Sequence, residues 1–253
     1  MASPYRSYII CTSPRSGSTL LCRMLSATGI SGAPDSHFHR PSVEAWMKSH
    51  GVTSGEGEDA AARLTRVFDA AVATGTAGTG MFGLRLQCGS FPYFMERLAE
   101  LHTGLFSDMA RIEARFGPTR IIHLTRTDKV AQAVSCVKAE QTGLWHVAPD
   151  GTEIERLGNH RDPVYDGKAL QAWYDTMVNY ERQWEDWFAR EGIAPLRLDY
   201  DRLSLDPRGT LRDVLLALGL DGSAADRVSP VVKKIADDIN DDWAVRLRAQ
   251  IAE

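Results

Sequence analysis

Apolar and polar positions at the start of the chain follow two different periods. Tyr8-Ile9-Ile10-Cys11 is a short unbroken apolar run, the pattern of a strand covered on both faces. Leu20, Leu21 and Leu25 then fall at helical spacing, and Gly29 stands where a helix would end. The pattern predicts a strand over 7–11, a loop over 12–17 and a helix over about 18–28. Further along, it predicts short and long helices at 43–50 and 59–73 and a strand over Met81–Leu86. Helical segments at 91–116 break near Gly104. Gly117-Pro118 stops the chain before Arg120-Ile121-Ile122-His123-Leu124-Thr125, a second buried-type strand, and a helix follows through Val137. The clearest helix covers 168–190, where Trp173, Met177, Tyr180, Trp184 and Trp187 recur at helical spacing. A late strand lies at Leu196–Tyr200, a helix at 207–218 ends on Gly219, and the tail over 223–253 is helical in patches. The stretches 30–57 and 146–167, rich in turn formers, read as mobile loops on an acceptor side. Strands alternating with helices argue for an α/β fold with a central parallel sheet and helices on both faces, in one domain over 1–253.

Composition narrows the functional classes. The 253 residues carry a net charge of −4, so no global basic field exists for nucleic acid, and an anionic ligand needs local positive charge. The four cysteines, Cys11, Cys22, Cys88 and Cys136, lack metal-site spacing and read as buried thiols of a reducing compartment. With no secretory leader pattern and no run approaching the roughly 18 apolar residues of a membrane span, the expectation is a cytoplasmic protein without a membrane segment.

Two strand-to-helix junctions carry the chemistry. The first, Ser13-Pro14-Arg15-Ser16-Gly17-Ser18-Thr19, has the layout of a phosphate cradle, in which backbone N–H groups at a helix start face an anion. It departs from the nucleotide P-loop because Ser18, not Lys, follows Gly17, and the positive charge sits at Arg15. The plain alternative is a tight turn capped by its serines. At the second junction Arg126 ends a strand and Ser135 lies nine residues on, about 13.5 Å along a helix. A short loop at 126–128 would let both reach one phosphate; otherwise Arg126 pairs with Asp128. Both junctions lie at carboxyl ends of strands, where open α/β sheets bind ligands, and together they suit a ligand with two anionic groups.

These motifs resemble those of the bacterial trehalose 2-sulfotransferase-like family of sulfotransferases, whose donor is 3′-phosphoadenosine-5′-phosphosulfate (PAPS). Ser13 to Leu21, continuing to Leu25-Ser26-Ala27-Thr28-Gly29, is similar to the family's 5′-phosphosulfate loop. Ile122-His123-Leu124-Thr125-Arg126, with Asp128, Val130 and Gln132-Ala133-Val134-Ser135, is similar to its 3′-phosphate segment, and Gln141, Thr142, Trp145, Trp184, Trp187, Asp199 and Tyr200 extend the match. The resemblance implies a P-loop-like three-layer sandwich. It implies sulfuryl transfer to a sugar or glycolipid hydroxyl, release of the desulfonated nucleotide PAP, and no metal. Pro14, Arg15, Ser16, Gly17, Ser18 and Thr19 would hold the 5′-phosphosulfate. Arg126 and Ser135, with Tyr200 nearby, would hold the 3′ side. Arg15 would stabilise charge on the leaving phosphate, and Arg85 would be a second active-site cation in place of the family's usual Lys. The family's trehalose enzyme uses a Glu as base. An ungapped match puts Ser36 there, which shifts the expectation to Asp35, then His37. The acceptor would meet Asp35, Ser36, His37, Phe38, His39 and Trp145. The family includes homodimers.

Other readings remain open from the residues alone. The first junction also suits a P-loop-like kinase or nucleotide hydrolase, although the Lys after Gly17 is missing. A third reading is a non-catalytic protein of the same fold that binds PAP or a glycan. The aromatic stripe over 173–187 reads as core rather than sugar platform. Lys233-Lys234 could close over a donor, but with Asp237, Asp238, Asp241 and Asp242 following, a solvated charged face is favoured.

Overall fold

The computed structural model describes residues 3–55, 57–147, 150–229 and 238–252. Its centre is a parallel sheet in the order β2-β1-β3-β6, made of Phe82–Gln87 (β2), Ser7–Thr12 (β1), Thr119–Thr125 (β3) and Leu196–Asp199 (β6). Every residue of β1 is buried, because β1 is flanked by strands on both edges and helices on both faces. Side chains alternate across it. Ile9 and Cys11 join one core with Leu84, Leu86 and Ile121, while Tyr8 and Ile10 join the other with Ile122, Leu124 and Leu198.

The first core is closed by Ala60–Thr76 (α3), Phe91–Leu101 (α4), Asp108–Phe116 (α5) and Gly167–Glu191 (α7). The second is closed by Ser18–Ala27 (α1) and Pro207–Ala217 (α9). These layers are the expected three-layer sandwich. Lys129–Thr142 (α6) and Asp238–Ala252 (α10) form a third cluster with α7, in which Val134, Leu170 and Leu247 are fully buried. Val43–His50 (α2) packs Trp46 into the first core. Trp184 and Trp187 lie inside that core as expected, with Trp184 Nε1 donating to the Thr12 carbonyl at 3.0 Å. All four cysteines are buried and free.

The order of connections positions the site. From β1 the chain crosses to β2 on one side, and from β3 it crosses to β6 on the other. The carboxyl ends of β1 and β3 therefore flank the crevice where the winding reverses, and both anion-type junctions open there.

The structure corrects one reading of the pattern. Overlapping the stretch 146–167, read as loop, Leu144–Val147 (β4) and Glu153–Arg156 (β5) form an antiparallel hairpin with register irregularities. Each strand has four residues, too few for alternation to show, and β5 (Glu-Ile-Glu-Arg) has a single apolar position. Among the described residues no helix is long and apolar enough to cross a membrane. Lys233 and Lys234 lie outside the described residues.

Candidate active site

The β1–α1 loop is shaped by two left-handed residues. Gly17 has φ +83°, and a Cβ built on it would come within 2.8 Å of the Tyr200 ring, so only glycine fits. Arg15 has φ +61°, an uncommon conformation for a side-chain-bearing residue, and it is held there from outside the loop. Its Nε donates to Ser135 Oγ at 2.9 Å, and its Nη1 donates to the Trp145 carbonyl. Gln132 of α6 clamps the loop from below, with Nε2 donating to Ser13 Oγ at 2.9 Å and to the Pro14 carbonyl at 2.6 Å. Ser16 is fully buried and turns its hydroxyl inward to Thr12 Oγ1 at 2.5 Å. Gly17 is the N-cap of α1, and no side chain caps the helix. The serine-capped turn is thereby ruled out. The first amide donors of α1 face the crevice without a side-chain partner, as an anion site requires.

Across the crevice, β3 ends at Thr125 and α6 starts at Lys129, which leaves the short loop 126–128. Tyr200 opens the helix Tyr200–Leu205 (α8), and the Arg126 guanidinium lies over its ring, 4.5 Å from the centroid. Arg126 Nε is buried with no partner. The loop is braced by Thr127 Oγ1, which donates to Asp199 at 2.7 Å, and by Lys129 Nζ, which donates to the Arg126 carbonyl at 2.7 Å. Asp128 is occupied in capping α6 at Ala131 N (2.8 Å) and pairing with Arg248 (2.7 Å), which removes it as the partner of Arg126. Ser135 meets Arg15, so it ties the first junction to α6. Among the described residues, neither Arg15 nor Arg126 has a carboxylate within ion-pair distance. Burial is the main influence pushing the Arg15 pKa down, and the Arg126 charge adds to it. Two half-buried guanidinium groups without counter-ions are a standing demand for an anion.

Arg85, on β2, joins this junction to the loop after α1. Its Nε donates to Ser36 Oγ, Nη1 to Thr19 Oγ1 and Nη2 to Asp35 Oδ1, each at 2.8 Å. The loop at Asp35 pairs with the edge of β2 through a bridge to Leu84, and the Arg85 amide donates to the Asp35 carbonyl at 3.0 Å. The Asp35 side chain is 70% exposed. The cleft here, about 840 Å³, is lined by Thr19, Arg23, Asp35, Ser36, His37, His50, Arg85 and Glu155.

One of the expected acceptor residues, Phe38, is placed differently from the reading. Phe38 is 1% exposed and packs against Trp46, Phe68 and Phe94, so its ring belongs to the core. The turn at His37 and Phe38 buries both side chains. His37 is buried beside Phe82, with Nε2 3.3 Å from the Ala33 carbonyl, and burial lowers its pKa. Trp145 contributes its carbonyl to Arg15. His39 stays exposed near the cleft, its pKa lowered by desolvation and then by Arg85.

His123, Glu181 and Glu185 bring metal-type ligand atoms within 4.8 Å of one another. Cations of the chain already serve both carboxylates. Lys129 Nζ lies 2.9 Å from Glu181, and Arg197 forms a two-pronged pair with Glu185 at 2.5 and 2.8 Å. Glu181 also accepts from Thr125 Oγ1 at 2.5 Å, so the group supports the end of β3 beneath Arg126.

Sequence reasoning missed the supporting contacts of Gln132, Lys129 and Glu181. Only Gln132 left a signal, as part of the motif around Ser135.

The chain is similar to known proteins over nearly its whole length. Trehalose 2-sulfotransferase of Mycolicibacterium smegmatis is 29% identical over 96% of this chain and 94% of its own. The enzyme of the same name from Mycobacterium tuberculosis is 28% identical over 99% of this chain and 97% of its own. The sulfotransferase domain of the Synechococcus PCC 7002 olefin synthase aligns over all of this chain and 96% of its own, with 16% identity and a TM-score of 0.46. The family model for Stf0 sulphotransferase matches residues 7–250, and the chain belongs to that family.

Proposed function

We propose that this protein transfers a sulfuryl group from PAPS to a hydroxyl of a sugar, by in-line displacement. The observation that carries the proposal is the pair of guanidinium groups, Arg15 and Arg126, that have no carboxylate partner among the described residues and are set beside the uncapped N-terminus of α1. PAPS has two separated anionic ends and would supply an activated sulfuryl group. The residues present fit it: Arg15, Gly17, Ser18 and the first turn of α1 on the 5′ side, Arg126 and Tyr200 on the 3′ side. Arg15 and the helix terminus are placed to stabilise charge as the 5′-phosphate departs. Their charge cannot reorganise, since Gln132, Ser135 and the Trp145 carbonyl hold the loop in place.

Arg85 bonds both Thr19, beside the donor loop, and Asp35 and Ser36, on the cleft. It fixes acceptor and donor sides relative to each other. The sugar acceptor rests on the polar lining of the cleft and on the two trehalose 2-sulfotransferases, which match nearly the whole chain. Ser36 at the family's base position leaves trehalose itself as one acceptor among several sugars to be tried.

The test is incubation of the protein with PAPS and a panel of trehalose, glucose and N-acetylglucosamine. Mass spectrometry would detect the sulfated sugar, and PAP release would be followed in parallel. A product heavier than the acceptor by one SO₃ group, formed in step with PAP, supports the reading. PAP release matched by no sugar product, or ATP consumed in place of PAPS, contradicts it.

A further inference from the structure

The hairpin β4–β5 holds two titratable side chains that the donor site does not use. His146 Nδ1 and Glu155 Oε2 are 2.6 Å apart, a charge-assisted bond across the two strands. The hairpin grows directly out of α6, the helix that supplies Gln132 and Ser135. Gly143, at φ +71°, caps α6 and begins the turn, and a Cβ there would come within 2.4 Å of the Gly158 carbonyl. The base of the hairpin is fastened by Arg156 Nη1 to the Thr142 carbonyl (2.7 Å) and by Leu157 N to the Gly143 carbonyl (2.8 Å). Its other attachment is Arg15, which donates to the Trp145 carbonyl, one residue before His146. Glu155 lines the same cleft as Thr19, Asp35 and Arg85. The dyad therefore stands where the donor loop meets the acceptor cleft.

We infer that His146, oriented by Glu155, is the general base that takes the proton of the acceptor hydroxyl. This rests on the sulfotransferase reading above. Two other candidates are less suited. The Asp35 carboxylate is held by Arg85, and the His37 ring is buried with its Nε2 against a backbone carbonyl. His146 has the requirements of a base. The Glu155 carboxylate accepts at Nδ1 and so selects the tautomer whose Nε2 carries a free lone pair. Burial, followed by the charges of Arg15 and Arg85, disfavours the imidazolium, while Glu155 favours it, and the net direction is down from the ordinary histidine value. The ring is thus neutral at pH 7. As the acceptor oxygen forms its bond to sulfur, the proton passes from that oxygen to Nε2. The sulfur–oxygen bond to the 5′-phosphate breaks, and PAP leaves with the electron pair. The imidazolium returns its proton to water after the sulfated product departs. Glu155 is a positioning residue, and its charge stabilises the imidazolium while it lasts.

The test compares wild-type protein, His146→Ala and Glu155→Gln, using PAPS and the panel sugar that the wild-type enzyme sulfates fastest. PAP binding is measured by calorimetry beside it. His146→Ala is expected to lose about 10²- to 10⁴-fold in kcat, with its PAP Kd within about 2-fold of wild type. Glu155→Gln keeps the bond to Nδ1 but loses the charge, so the acid limb of the kcat profile moves to lower pH. Imidazole ¹⁵N spectra of the wild-type protein at pH 7 are expected to show His146 neutral and protonated at Nδ1, a readout that needs no acceptor. An active wild-type enzyme with His146→Ala of similar kcat, an acid limb that persists in His146→Ala, or the Nε2–H tautomer would each overturn the dyad alone. A wild-type protein that neither binds PAP nor transfers would overturn the donor reading and the dyad with it.

Discussion

Gly17→Ala tests how the two anion-binding junctions are joined. At φ +83° an alanine pays the left-handed penalty, about 1–2 kcal/mol. Its Cβ would also meet Tyr200 Cδ2 at 2.8 Å and Leu203 Cδ2 at 3.3 Å, and displacing a packed ring adds about 1–3 kcal/mol. The sum is about 2–5 kcal/mol, a fall in melting temperature of about 5–15 °C for a chain of this size. The same ring lies under Arg126, 4.5 Å from its guanidinium. A ring pushed away from Gly17 loses that stacking, about 0.5–2 kcal/mol, so PAP binding should weaken about 2- to 30-fold although position 17 belongs to the proposed 5′ side. The assay is a double-mutant cycle with Tyr200→Ala, read by urea unfolding and by PAP calorimetry. Without the ring, Gly17→Ala should cost only its backbone part, a coupling of about 1–3 kcal/mol. Costs that add within about 0.5 kcal/mol, with PAP affinity unchanged by Gly17→Ala, would refute the steric link.

Three further outcomes follow from named interactions. Arg15→Ala should abolish detectable transfer, a loss of at least about 10²-fold in kcat, whereas Arg126→Ala should chiefly raise the donor KM; steady-state kinetics that give equal small effects would contradict the assignment. His37, His39, His123 and His146 all have pKa values pushed down, mainly by burial, so the unfolded chain binds more protons just below pH 6.5. Stability is then complete above about pH 6.5 and falls as the pH drops toward the folded-state values, so the melting temperature should be lower at pH 5.5 than at pH 7.5. Burial pushes the thiols of Cys22, Cys88 and Cys136 up to about 12, so iodoacetamide at pH 8 should label them only after denaturation, as counted by intact mass.

Much of this arrangement is legible in the sequence where the signal is local. The apolar run at 8–11 followed by a hydroxyl-rich turn locates the first junction, since a fully buried central strand tolerates no polar interruption. The expected strand at 120–125 and loop at 126–128 are those observed, and Arg85 reads as a cation needing partners because leucines flank it in a strand. What the sequence does not display depends on contacts between distant segments. His146 and Glu155 come together only by pairing of two four-residue strands with irregular register. Glu181 and Lys129 are 52 positions apart and meet because α7 packs across the end of β3. Phe38 sits among polar loop residues, and its place in the aromatic core depends on Trp46, Phe68 and Phe94, which come from three separate helices.

The central claim is that the crevice between β1 and β3 holds the two anionic ends of a PAPS-type donor. Its most direct test is calorimetric titration of the purified protein with PAP, beside ATP with magnesium, repeated on Arg126→Ala. The account requires PAP binding with a Kd on the order of micromolar, weakened in Arg126→Ala, and weaker binding of ATP. Tight ATP binding with no heat from PAP would contradict it and make the first junction a nucleoside triphosphate cradle.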